Sequence, residues 1–544
     1  MFKHYFNGYF SCLIFLLCFW TYAFTGVHAF VAEEITPDQT VMIKMKDGTQ
    51  LPTDLYLPNL EAKNLPCILL RSPAGRFCRT ATPVAAFAKL GYLVAIQDTR
   101  SAIDLEGKTL PYTADNWLDE QDGHETLQWL AKSPLTNGKI GTMGFSAMGI
   151  TQQLMAPFAP DSLKCQYIGT APASLFHHAI FPSGVFLKHQ VETWLGYYAK
   201  DPGVCSFVAN QYLNDRFWLS FDVRNVAQNV TSPAIHQAGW YDTFLQGSIE
   251  GFLARQEHGG DGAKGQQKLI IGPWTHFWPL SSKLGDFEVP EAGKVVPFEM
   301  GPYKLFEYYL KGIDNGVDKF PAVFYYVMGP FDGTPSKGNI WKFADKWPVD
   351  SIQTSYYLAE NKSLSLEKPA TDAKMSYRYD PTNLVPTLGG LNLFLDAGPI
   401  DQRPIESRDD VLVFSTEPLD RDTEITGRIM AKIFLSPHVD GATIAMRLSD
   451  VYPDGRSLIV GDGIYRKGKN LKTSQAIDPS KPAEIDVDLW STSMVFAKGH
   501  RIRISISGSN YPRYEDAKVG ALTNIIHLGK NYPSRIILPV VPAT

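Results

Sequence analysis

The feature that most constrains this chain is a train of short apolar runs through its first half: residues 67–70, 93–96, 139–143, 165–169, 234–238 and 269–271. Turn-forming residues bound these runs. A run that is apolar on both sides suits a strand in a sheet covered on both faces. Stretches with helical spacing lie between several of them, for example 83–90 and 119–131. Alternating strand and helix predicts a mostly parallel sheet flanked by helices. Residues 41–43 and 54–57 add a hairpin in front of it, around the Asp47-Gly48 turn.

Two breaks in this rhythm divide the chain. Residues 173–231 are helix-like and crowded with aromatics, among them Phe176, Phe181, Trp194 and Trp218, yet they fall between two sheet strands. They read as an inserted cap. After about residue 350 the helical spacing stops. Strand-like runs recur instead at 411–415, 427–435, 444–448, 485–487, 501–506 and 536–541, with Pro453-Asp454-Gly455 as a turn. Short strands without intervening helices predict a β-sandwich of jelly-roll type. The expected layout is an α/β domain from 30–172 and 232–350, a cap over 173–231 and a sandwich over 351–544. A chain of 544 residues is too long for one core, which agrees.

The first thirty residues have another character. Lys3 and His4 precede an apolar stretch at 9–24, no acid occurs before Glu33, and Val27-His28-Ala29 places small residues at −3 and −1 of a cleavage site. This predicts a signal peptide over 1–29, removed after Ala29, and export to the periplasm or the medium. The other reading is an uncleaved anchor, since the stretch is nearly long enough to span. After cleavage no segment is apolar enough for stable membrane insertion. Cys12 and Cys18 would leave with the signal, so Cys67, Cys78, Cys165 and Cys205 permit two disulfides in any of three pairings. Cys67, inside an apolar run, also reads as a buried small hydrophobe. A formal charge of −5 with scattered Lys and Arg gives no polyanion-binding face. Nucleic acid is therefore not an expected partner.

The chemistry starts at Gly141-Thr142-Met143-Gly144-Phe145-Ser146-Ala147-Met148-Gly149, which joins a strand to a helix-like stretch at 150–156. A serine on such a turn is held above the sheet edge, and the helix N-terminus favours a developing oxyanion. The usual turn has Gly two residues after the serine, where this one has Met148 and then Gly149. The serine needs a base, and the base an orienting acid. In hydrolases built this way they follow in the order Ser, acid, His. The run starting at Ala234 ends in Tyr241-Asp242, and the run starting at Leu269 ends in Thr275-His276. Strand counting puts Ser146 after the fifth strand, Asp242 after the seventh and His276 after the eighth. Ser146, Asp242 and His276 are the candidate triad, with the Ala147 N–H as oxyanion donor. Trp240, Tyr241, Phe244 and Trp274 are expected to line the substrate site. Competing residues read as structural: His177 and His178 in the cap, His124 on a solvated helix face, His236 within a strand and Asp98 after one. No metal-ligand spacing, phosphate loop or dinucleotide fingerprint occurs in the sequence, so no metal or cofactor is expected.

Gln97-Asp98-Thr99-Arg100, Gly144-Phe145-Ser146-Ala147-Met148-Gly149, Gly239-Trp240-Tyr241-Asp242 and Ile271-Gly272-Pro273-Trp274-Thr275-His276 together resemble motifs of the CocE/NonD hydrolases, relatives of cocaine esterase, α-amino-acid ester hydrolases and X-prolyl dipeptidyl aminopeptidases. The likeness continues through Tyr308-Tyr309-Leu310-Lys311-Gly312, Val385-Pro386-Thr387-Leu388-Gly389-Gly390, Asp450-Val451-Tyr452-Pro453-Asp454-Gly455-Arg456 and Gly499-His500-Arg501-Ile502-Arg503. It implies an α/β-hydrolase domain with a helical cap and a C-terminal jelly roll of the galactose-binding-like kind. It also implies the triad Ser146, Asp242 and His276, acting on a small ester or amide.

Two departures from the family bear on activity. The family Tyr that donates to the oxyanion follows an Arg-x-Pro segment; here that segment is Arg71-Ser72-Pro73-Ala74, so Ala74 removes the donor. Ser72, Arg76 or Arg79 could substitute. The acids that hold a substrate ammonium after the triad Asp are replaced by Thr243 and Phe244. An esterase is therefore expected, with an X-prolyl dipeptidyl aminopeptidase-type peptidase and a catalytically weak binding protein as alternatives. Self-association is left open.

Overall fold

The computed structural model describes residues 36–76, 87–118, 120–212, 214–468 and 481–542. The expected signal peptide, Cys12, Cys18, Cys78 and Arg79 lie outside them. The first half forms one ten-stranded sheet. Its strands are β1 (Gln39–Lys44), β2 (Gln50–Tyr56), β3 (Leu65–Ser72), β4 (Leu93–Asp98), β5 (Thr136–Phe145), β6 (Leu163–Gly169), β7 (Ala234–Tyr241), β8 (Lys268–Thr275), β9 (Val323–Val327) and β10 (Ile340–Ala344). The order across the sheet is β1-β2-β4-β3-β5-β6-β7-β8-β9-β10. From β4 to β9 all neighbours are parallel, and the two ends are antiparallel. Every residue of β4 and β7 is buried, as strands covered on both faces require.

Helices α1 (Asp122–Lys132) and α2 (Ala147–Met155) flank the sheet. All nine residues of α2 are buried, which matches a helix with no polar stripe. The cap carries helix α3 (Lys188–Tyr198) and further short helices. Its aromatics pack together, Phe176 meeting Phe181 at 5.1 Å and Trp218 at 5.6 Å between ring centroids, in a core continuous with Ile150 of α2 and Ile464 of the C-terminal region. Helix α4 (Leu245–His258) follows β7.

The C-terminal region is a sandwich of two antiparallel sheets, one of seven and one of four strands. The strand Thr423–Ser436 in the larger sheet alternates buried and less buried positions, the mark of one covered face. In the smaller sheet Thr443–Val451 and Ser457–Arg466 are buried throughout. The strand Ser457–Arg466 escapes sequence reading because Gly461, Asp462 and Gly463 dilute its pattern. A Cβ at Gly463 would lie 2.1 Å from the Asp488 carbonyl oxygen, so close packing demands the glycine. Cys67, Cys165 and Cys205 are free thiols. This corrects the two-disulfide option: Cys67 and Cys165 are packed as small hydrophobes, and burial pushes their thiols well up.

Candidate active site

Ser146 stands between β5 and α2 at φ 55° and ψ −120°, a backbone conformation that side chains rarely adopt. Its own N–H donates to the Gly169 carbonyl oxygen at the end of β6, 2.9 Å away. Glycines on either side make the turn possible. A Cβ at Gly144 would lie 2.4 Å from the Met148 Cβ, and one at Gly149 would lie 2.6 Å from the Ala171 Cβ. The close approach of helix and strand therefore falls at 144 and 149, which leaves room for a side chain at Met148.

His276, just past β8, brings its Nε2 to 2.9 Å from Ser146 Oγ. Its Nδ1 lies 3.1 Å from Asp242 Oδ1, just past β7. Asp242 Oδ1 also accepts the Phe244 N–H at 2.8 Å, and Asp242 is fully buried. These distances fit the tautomer in which Nδ1–H donates to the carboxylate and Nε2 accepts the serine hydroxyl. Convergence follows from sheet order: β5, β6, β7 and β8 are adjacent and parallel, so their carboxyl-terminal loops meet at one edge.

The Ala147 N–H opens the first turn of α2, where backbone donors have no intrahelical acceptor. Ala74 lies just after β3 and offers only a methyl group. The suggested substitutes are committed elsewhere or not described. Arg76 faces Asp54 at 3.4 Å and Asp98 at 3.6 Å, Ser72 is buried, and Arg79 lies outside the described residues. Arg71 is a buried brace, donating from Nε to Gln97 Oε1 at 2.7 Å and from Nη1 to Asp115.

Of the four residues expected to line the substrate site, only Phe244 stays beside the chemistry, its ring edge-on to His276 at 5.3 Å. The other three are corrected. Trp240 Nε1–H donates to the Tyr326 carbonyl at 2.6 Å, Trp274 Nε1–H to Gly293 at 2.9 Å and the Tyr241 hydroxyl to Ile459 at 2.9 Å. All three are within 1% of full burial. They lie within β7 and β8, whose side chains point above and below the sheet into packed layers.

The competing histidines are held as well. His236 is buried against Gln267, and burial takes its imidazole down to about 3. His178 pairs with Glu250 at 3.1 Å. His124 is half-buried on the surface helix face where it was expected, and contacts Phe158 O and Gln128 there. Sequence reading missed Thr170, directly after β6, a β-branched residue at φ 44°. Such strain gathers at functional sites, and no residue pattern announces it. It also missed Gln190 of the cap, which accepts the Thr243 hydroxyl beside Asp242. Among the described residues no group of His, Cys, Asp and Glu is arranged to hold a metal.

Comparison with known proteins gives a consistent picture. Residues 47–202 and 191–278 match the X-Pro dipeptidyl-peptidase (S15 family) profile, and residues 315–537 match the X-Pro dipeptidyl-peptidase C-terminal non-catalytic domain. Cocaine esterase of Rhodococcus sp. (strain MB1 Bresler) is 30% identical, over 92% of this chain and 98% of its own length. An α-amino acid ester hydrolase structure superposes with a TM-score of 0.76 at 22% identity, covering 95% of this chain and 99% of its own. An aminopeptidase structure from a Thaumarchaeota archaeon gives 0.77 at 20% identity, covering 95% and 100%.

Proposed function

This chain belongs to the CocE/NonD family of serine ester hydrolases, and on that premise we propose that it cleaves small acyl esters through an acyl-enzyme on Ser146. The observation that carries the reading is the unbroken line of hydrogen bonds from Ser146 Oγ to His276 Nε2 and from His276 Nδ1 to Asp242. Ser146 Oγ attacks the ester carbonyl carbon while His276 Nε2 takes its proton. The carbonyl electron pair moves to oxygen, where the Ala147 N–H donates. Collapse breaks the bond to the leaving oxygen, which receives the proton from Nε2 and departs as an alcohol. Water then attacks the acyl-enzyme, gives a proton to Nε2 and releases the carboxylic acid, the serine recovering its hydrogen. Asp242 holds the imidazole in the required tautomer and stabilises its cationic form.

An ester is favoured over a peptide with a free amino terminus because Thr243 and Phe244 follow Asp242 where that substrate would need acids, and the Thr243 hydroxyl is already spent on Gln190. The intact triad hydrogen bonds favour an enzyme over a binding protein. The test is intact-mass analysis after treatment with a fluorophosphonate. One phosphonyl adduct on the wild type and none on Ser146→Ala is the expected result; no adduct on folded wild-type protein would overturn the reading. The same proposal places the enzyme outside the cytoplasm, from Lys3, the apolar stretch at 9–24 and Val27-His28-Ala29. Sequencing the amino terminus of secreted protein should begin at Phe30; a start at Met1 would reject cleavage.

A further inference from the structure

Tyr241 precedes Asp242 in the chain, touches no route to solvent and still makes a specific polar contact. Its hydroxyl donates to the Ile459 carbonyl at 2.9 Å, on a strand of the C-terminal sandwich. Besides the strand pairing of Tyr241 with Thr275 and the contacts of Asp242 itself, it is one of four side-chain ties that reach out of the segment carrying the acid. Trp240 is fastened to the Tyr326 carbonyl within the α/β domain, and Thr243 to Gln190 of the cap. At the far end Gln246 Oε1 accepts the Ser491 N–H at 3.1 Å and its hydroxyl at 2.9 Å, again from the sandwich. Two of the four ties therefore end in the region matched to a non-catalytic domain.

The anchor under Tyr241 is densely packed. Ile459 stands opposite Ser449 on the neighbouring strand, next to Asp450. Asp450 is buried and takes His500 Nδ1 at 2.9 and 3.1 Å from its two oxygens. The Tyr452 ring lies 4.4 Å from the His500 ring, and its hydroxyl accepts the Phe331 N–H of the α/β domain at 3.1 Å. The motifs 450–456 and 499–503 thus build a packed polar block against the back of the acid segment. A carbonyl on such a block has little freedom to follow a moving partner.

We infer that the C-terminal sandwich positions the catalytic acid, and that Tyr241 is the positioning residue through which it acts. The hydrogen bond to Ile459 sets where the residue before Asp242 sits, and so how its carboxylate meets His276 Nδ1. This inference rests on the triad reading above. Small displacements of such a group are costly, since a 1 Å misplacement can cost about 100-fold in rate.

The experiment compares Tyr241→Phe with Tyr377→Phe in steady-state hydrolysis of p-nitrophenyl butyrate across pH. Tyr377 loses an equally buried hydroxyl contact, to the Thr443 carbonyl at 2.7 Å, but within the sandwich. Tyr241→Phe should lower kcat about 10- to 100-fold with KM within about twofold. It should also move the acid limb of kcat/KM to lower pH, because a poorly met carboxylate favours the imidazolium less. Tyr377→Phe should match the wild type in both. Unchanged kcat and acid limb in folded Tyr241→Phe would overturn the inference, as would a fall only in proportion to lost folded protein. If Tyr241→Phe does not fold, Gln246→Leu, which cuts the other tie to the sandwich, carries the same expectation and the same refutation. Ser146→Ala in the same assay separates the two levels: residual full activity there would sink the triad reading, whereas an inactive Ser146→Ala beside an unchanged Tyr241→Phe sinks only this inference.

Discussion

The turn that carries Ser146 and the segment that carries Asp242 are held by contacts of different reach. The serine turn is a local construction. Its strained φ of 55° is enforced by glycines at 144 and 149 and by the Gly169 carbonyl one strand away. The acid segment has local contacts too, the Phe244 N–H on Asp242 Oδ1 and the pairing of Tyr241 with Thr275. Its side chains are in addition tied to Tyr326, Gln190, Ile459 and Ser491, which come from the α/β domain, the cap and the sandwich. The serine turn therefore depends on its own few residues, while the acid depends also on how the whole molecule assembles.

The largest effect expected from breaking the comparison is on the local side. Ser146→Ala should lower kcat by about 10⁶-fold in ester hydrolysis, since nucleophile and base act as a unit. The loss expected of Tyr241→Phe is far smaller, because it displaces a group instead of deleting one. Gly144→Ala probes the turn itself. Its new methyl would meet Met148 Cβ at 2.4 Å and the Met148 carbonyl oxygen at 2.9 Å. Overpacking of this kind costs about 1–3 kcal/mol, which denaturant titration will measure, and fluorophosphonate labelling should slow as the serine turn shifts. Labelling at the wild-type rate would show that the turn does not need the glycine.

The smallest effect concerns the helix behind the acid. Glu250 on α4 pairs with His178 and Arg224, and with Arg428 of the sandwich at 3.1 Å. Burial alone would raise its carboxyl, but its contacts with His178, Arg224 and Arg428 hold it far below the ordinary 4.5. A depressed carboxyl contributes stability above its unfolded value, and that contribution is lost as pH falls through the folded one. Glu250→Gln should therefore melt lower than the wild type at pH 7, with the gap closing as pH drops below about 4.5. Arg428 is substantially exposed, so solvent screening keeps the effect modest. A gap that is constant with pH would show that packing, not charge, accounts for it.

Much of this protein was legible before any coordinates. Most of the buried parallel strands announce themselves because a strand covered on both faces must be apolar at every position, although Val323–Val327 escapes sequence reading; the spacing of serine, acid and histidine follows the strand count. Aromatic density at 173–231 marked a region that packs as a unit against α2 and the sandwich. Other features could not be read that way. Nothing in Gly239-Trp240-Tyr241-Asp242 says which rings face substrate and which face the interior, and three of the four residues expected at the substrate site are packed inside. The full burial of Thr443–Val451 and Ser457–Arg466 depends on a neighbour hundreds of residues away in the chain. Sequence by itself determined many of the elements, their order and the placement of Ser146, Asp242 and His276 at three strand ends, because periodicity and local turn geometry act over a few residues. Only the tertiary structure decided what holds Asp242 in place, because a hydrogen bond between residues 241 and 459 exists only once two separately patterned regions have packed together.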